Sequence, residues 1–115
     1  MIKHIVMWDV GGESATEREA NIRALQAQFE SLRDQIPGMR VLEIGVDISG
    51  VDYACHVVLY SEFESRAHLE AYANHPAHLK VRAALGAMRI ARHQVDYEPA
   101  SRAGNFSLSR AADLM

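Results

Sequence analysis

A chain of 115 residues, 49% apolar and 23% charged, has room for one modest core and too few residues for two domains. Its net charge of −3 offers no basic patch to neutralise phosphates, so nucleic acid is excluded as an expected partner. No stretch approaches the ~18 apolar residues of a membrane span, and Ile2 to Val10, interrupted by Lys3, His4 and Asp9, lacks the pattern of a signal peptide. No membrane partner is therefore expected, and the cytoplasm is the default location.

Aromatic residues make up only 7%, so the core must come from Leu, Ile, Val, Ala and Met. A small domain with so aliphatic a core gains by burying a sheet face against a second copy.

Taken in chain order, Ile2 to Val10 is rich in β-formers. One alternating face carries Ile2, His4, Val6, Trp8 and Val10, and the other carries Ile5 and Met7. A strand apolar on both sides needs a cover on both sides. Helices on one face and a partner subunit on the other would supply it, with Ile5 and Met7 at the homodimer interface.

Gly11-Gly12 ends the strand. Ser14 with Glu17 forms a capping box, and Ile22, Leu25, Phe29, Leu32 and Ile36 follow at helical spacing. They predict one apolar stripe on a helix of roughly 20 residues, closed by Pro37-Gly38.

Met39 to Asp47 and Tyr53 to Phe63 read as an antiparallel pair around the turn-forming stretch 48–52. The lone Cys55 falls in the second of these strands and is expected to be a buried, inert thiol. Ser65 caps a second helix through Leu69 and Tyr72, which Pro76 interrupts. The helix is expected to restart at Ala77 and run through Leu79, Val81, Leu85 and Met88. Ile90 to Tyr97 closes the pattern as a fourth strand, with Tyr53, Tyr60 and Tyr97 at strand edges or an interface. The order β-α-β-β-α-β predicts an α+β, ferredoxin-like fold with an antiparallel sheet. Residues 1–98 form the expected domain. Residues 99–115 form a tail in which Leu108, Ala111, Ala112 and Met115 lie at the spacing of a short helix able to pack on the partner.

Among the residues with chemistry to offer, histidine stands out, with six copies. His75 and His78 are close in sequence, but Pro76 lies between them and no carboxylate or Cys cluster joins them, so no metal site is expected. His78 suits a general acid or base, because an imidazole both accepts and donates a proton near neutral pH. Tyr72 lies near enough to orient a substrate carbonyl or hold the imidazole tautomer. The alternative is that His75 caps the helix break and His78 packs at the edge of the core. His4, a polar ring among apolar neighbours, is either a satisfied core residue or a pocket-lining group, and Trp8 beside it fills core or meets a ligand. No phosphate loop and no nucleophile elbow are present, so no nucleotide cofactor is expected.

Met1-Ile2-Lys3-His4-Ile5-Val6, Ile36-Pro37-Gly38, Ser61-Glu62-Phe63-Glu64-Ser65, Tyr72 with His75-Pro76-Ala77-His78, and Val95-Asp96-Tyr97 together resemble the stress-responsive A/B-barrel (Dabb) family. The resemblance implies a ferredoxin-like subunit that pairs through its sheet into a dimeric α+β barrel. Most members of the family have no assigned activity, and it is one enzyme resembling this pattern that implies a pocket between sheet and helices for a small apolar organic molecule, with chemistry that needs no metal or cofactor. A plant polyketide cyclase of this kind puts its acid/base histidine at His78, its assisting tyrosine at Tyr72 and a pocket histidine at His4. The expected pocket then also includes Val6, Trp8, Phe29 and His75. Two positions depart: a second pocket tyrosine falls on Phe29, and a strand-three histidine falls on Val57. The functions to weigh are cofactor-free cyclisation or isomerisation, a non-catalytic stress-related dimer, and cofactor-free oxygenation.

Overall fold

The computed structural model describes residues 1–100. The chain runs β1 (Ile2–Val10), α1 (Ala15–Glu30), β2 (Met39–Val46), β3 (Val57–Phe63), α2 (Arg66–Ala73), α3 (Pro76–Leu85), a 3-10 turn (Gly86–Met88) and β4 (Arg89–Tyr97). The strands form one antiparallel sheet in the order β2-β3-β1-β4. The ferredoxin-like α+β reading of the sequence is borne out. The tail helix considered above falls on residues 101–115, outside the described part.

Strand alternation decides which residues meet the helices. Ile2, Val6, Trp8 and Val10 of β1, Leu42 of β2, and Val57, Leu59 and Phe63 of β3 are buried on one face. Leu25, Phe29, Leu32, Ile36, Tyr72, Val81 and Leu85 close over them from the helical layer. Trp8 and Phe29 stack at 5.1 Å between ring centroids, with 20° between planes. Such a pair is worth ~0.5–1.5 kcal/mol beyond the area it buries. The opposite face leaves Met7, Val41, Val95 and Tyr97 exposed in the single subunit.

Several element boundaries differ from expectation. Helix α1 stops at Glu30, although the apolar stripe runs on to Ile36. Ser31–Gln35 instead make turns, with Asp34 left-handed at φ 66°. Pro37 disfavours a helical Ile36, and the turns still bring Leu32 and Ile36 into the core. Strand β3 begins at Val57 rather than Tyr53: both of its ladders stop at Val57, which pairs with Trp8 of β1 and with Val46, the last residue of β2. His56 turns its side chain to the end of β1, where Nδ1 accepts the Val10 N–H at 2.9 Å. Tyr53 and Cys55 therefore lie in a loop, with Tyr53 exposed and Cys55 half-buried rather than buried. Partial burial, with Asp9 nearby, pushes the Cys55 thiol pKa up, which suppresses the thiolate.

Pro76 occupies the first position of α3 itself, where its missing N–H costs nothing. That helix ends at Leu85 rather than continuing to Met88, as Gly86 takes φ 51° and opens the 3-10 turn. Gly38 sits at φ 79° where the chain enters β2, and a Cβ there would run into the His68 ring. No helix among the described residues is long and apolar enough to cross a membrane.

Candidate functional site

Between the sheet and the pair α2/α3 lies a cavity of about 670 Å³. That is within the usual size of small-molecule sites. Its apolar wall is Ile2, Val6, Trp8, Phe29, Leu59 and Leu69, and its polar wall includes His4, Tyr72, His78 and Asp96. Helices α2 and α3 leave the inner side of β4 uncovered, so the cavity opens toward that strand.

His4 points inward because it shares its face with Val6 and Trp8. Its direct neighbours across the sheet are Ser61 on β3 and Asp96 on β4. Ser61 is small and fully buried, and its hydroxyl faces the His4 carbonyl at 3.4 Å. On the other side His4 Nδ1 meets Asp96 Oδ1 at 2.5 Å. Directly opposed residues have Cβ atoms ~4.5–5.5 Å apart, a span an imidazole and a carboxylate can bridge. Gln94 Nε2 donates to the other carboxylate oxygen at 2.8 Å. Asp96 is thus held from both sides and fixes the imidazole with Nδ1–H toward it. Nε2 is the nitrogen left for a ligand.

The His4 ring meets Tyr72 edge-on, at 6.1 Å between centroids. Tyr72 in turn stacks on His78 at 4.2 Å and 26°. Burial pushes the Tyr72 phenol pKa up to about 12, against a partial offset from Arg89 and Arg92. The hydroxyl is therefore a donor at all ordinary pH values. Burial pushes the His78 pKa down, which favours the neutral ring. His78 Nδ1 lies 3.3 Å from the Ala73 carbonyl. A carbonyl only accepts, so the proton sits on Nδ1 and Nε2 keeps its lone pair. The tautomer is held by the backbone and not by Tyr72, which contacts the ring by stacking.

Six of the seven residues singled out in the sequence, His4, Val6, Trp8, Phe29, Tyr72 and His78, line this one cavity. His75 does not. Its Nδ1 accepts the Ala77 N–H at 3.1 Å and caps α3. Sequence reasoning missed Asp96, Gln94 and three arginines of the lining, Arg82, Arg89 and Arg92. Asp96 stands in the Val95-Asp96-Tyr97 motif, but only the β1–β4 register shows that it faces His4. Among the described residues no three His, Cys, Asp or Glu side chains are grouped to hold a metal ion.

A protein-family model described as the Stress responsive A/B Barrel Domain matches residues 2–99. Among solved structures, a dimeric protein of unknown function and ferredoxin-like fold from Bacteroides fragilis is 27% identical. It covers 85% of this chain and 95% of its own, with a TM-score of 0.76. A Dabb family protein with a ferredoxin-like fold from Mesorhizobium loti is 22% identical, with a TM-score of 0.70 over 87% of this chain and 97% of its own. Hydroxynitrile lyase from Passiflora edulis is 16% identical, with a TM-score of 0.72 over 87% and 94%. The last two likenesses reach the fold and no further. No curated protein matches the chain.

Proposed function

The chain belongs to the stress responsive A/B barrel domain family, and on that footing we propose that it is a cytoplasmic homodimer binding a small, largely apolar organic molecule between sheet and helices. There it supports cofactor-free proton transfer of the isomerase or cyclase type. The observation that carries the reading is the open cavity, in which an apolar wall of Ile2, Val6, Trp8, Phe29, Leu59 and Leu69 faces a convergent polar group of His4, Asp96, Tyr72 and His78. A core histidine satisfied by packing alone would border no cavity of this size.

In this reading His78 Nε2 takes a proton from the carbon beside a substrate carbonyl, and the Tyr72 hydroxyl donates to the oxygen that becomes the enolate. Return of the proton to a different atom isomerises the substrate. Return to an alkoxide, after the enolate carbon has attacked a second carbonyl, completes a ring closure. His4, oriented by Asp96, is the donor or acceptor at the other end of the polar wall. The dimer forms through the exposed sheet face, with Ile5 and Met7 central, in keeping with the dimeric state of the Bacteroides neighbour.

The test is deuterium incorporation beside the carbonyl of 2-nonanone in D2O, followed by NMR. The expected result is exchange faster than in buffer of equal imidazole content, reduced at least ten-fold by His78→Gln. Bound ketone with no acceleration removes the catalytic part of the reading.

A further inference from the structure

The cavity carries more positive charge than its acid/base group uses. Arg82 on α3 and Arg89 and Arg92 on β4 all line it. Among the described residues no ion pair involves any of the three. Of the carboxylates in the lining, Asp96 is committed to His4 and Gln94, and Glu70 and Glu98 pair with none of these arginines. The Arg89 guanidinium lies 5.5 Å from the Trp8 ring centroid. Trp8 Nε1 and Arg89 Nε are both buried, and neither has a hydrogen-bond partner among the described residues. Leaving two adjacent buried donors unpaired is costly, and folds rarely tolerate it without a use.

The backbone is shaped to make this cluster. Arg92 pairs directly with Trp8, and the register then slips by one residue before Asp9 pairs with Ile90 and Val10 with Arg89. Ala91 is the extra residue, at φ 49°. Without that bulge, alternation from Arg92 would turn Ile90 inward and Arg89 outward. The bulge puts both arginines on the cavity face.

We propose that the ligand of this cavity is an amphiphilic carboxylate. Its acid group sits against Trp8 Nε1, Arg89 and Arg92, and its apolar body runs along Val6 toward Ile2 and Leu69. The inference rests on the binding reading above and narrows it to one substrate class. A guanidinium pairs with a carboxylate through two parallel N–H donors, and the indole N–H supplies a third. Trp8 lies four positions along β1 from His4, about 13 Å at ~3.3 Å per residue. The anchor therefore lies at one end of the cavity and His4 toward the other, with Tyr72 and His78 beside the body of the molecule.

Trp8 is the only tryptophan of the chain, so its fluorescence reports the anchor directly. The full-length protein is titrated with 4-pentylbenzoate and with the neutral 4-pentylbenzyl alcohol at low salt. The expected result is a Kd at least ten-fold lower for the carboxylate, with the preference lost in the Arg89→Gln/Arg92→Gln double variant. Arg92→Gln alone, at an exposed strand position, should reduce the preference two- to three-fold and serves if the double variant does not fold. Equal affinities for the two probes overturn the anionic anchor and leave the cavity as a binding site. A preference unchanged in the variants also overturns it. Binding of neither probe overturns this inference together with the reading on which it rests.

Discussion

His4 and Asp96 are separated by 92 positions, yet they form the shortest polar contact in the cavity. Neither is informative alone, since a strand histidine is commonly a packed core residue and a carboxylate near a strand end is commonly solvated. Only the pairing of β1 with β4 makes them one unit. His78 differs, because its local sequence already marked it and its environment is local too: the Ala73 carbonyl and the Tyr72 ring come from the preceding helix. Its depressed pKa has a consequence for stability. In the unfolded chain the ring titrates near the ordinary imidazole value of about 6.5, and in the fold burial makes it titrate lower. Above that range the group contributes no pH dependence. As pH falls below 6.5 the unfolded chain takes up the proton first, so the fold loses stability down through the folded pKa. Melting temperature should therefore drop more steeply between pH 7 and pH 5 in the wild type than in His78→Gln. Parallel curves would show that the ring is not desolvated.

At the scale of the elements, periodicity carried most of the fold. The alternation of β1, the stripe of α1 and the β2/β3 pair were all readable from apolar spacing. The boundaries were not, and each miss has a physical cause outside the pattern. Leu32 and Ile36 stay buried through turns, so their spacing looked helical beyond the end of the helix. Tyr53 to His56 has β-like composition, but β2 ends at Val46, and past Trp8 the Val10 N–H of β1 goes to the His56 side chain rather than into a ladder. The bulge at Ala91 leaves no signature in composition, and with it Arg89 and Arg92 went unread as cavity residues. His75 was readable in two ways, and its side chain caps α3. Replacing it with Ala should cost about 1 kcal/mol of stability, as loss of an N-cap does, and His75→Asp should restore most of that. Denaturant melts give the stability and Trp8 fluorescence the binding. A His75→Ala variant with unchanged stability and weakened ligand binding would reverse the assignment and return His75 to the pocket.

For the whole molecule, the two faces of the sheet divide the work. The inner face builds the core and the cavity, while the outer face leaves Met7, Val41, Val95 and Tyr97 exposed in the single subunit. An antiparallel sheet can leave one face to water, but that face is then polar. Here Lys3, Glu43, Glu62 and His93 share the face with those apolar residues, and the proposed second subunit covers the apolar part. Met7→Asp places a charge in the middle of that face, so light scattering should find a dimer for the wild type and a monomer for the variant. A variant that remains dimeric would put the interface elsewhere. The cavity opens on the opposite side of the sheet, beneath the helices, so ligand binding and dimer formation are separate properties of the two faces.

The account as a whole depends on a ligand entering beneath the helices rather than on the polar residues there being core. A crystal structure of the protein grown with 4-pentylbenzoate tests this directly. The account expects the probe in the cavity, its ring beside Tyr72 and His78 and its carboxylate against Arg89. A cavity closed by Trp8, Phe29 and Met88, with the probe absent or bound only on the outer face of the sheet, would contradict it.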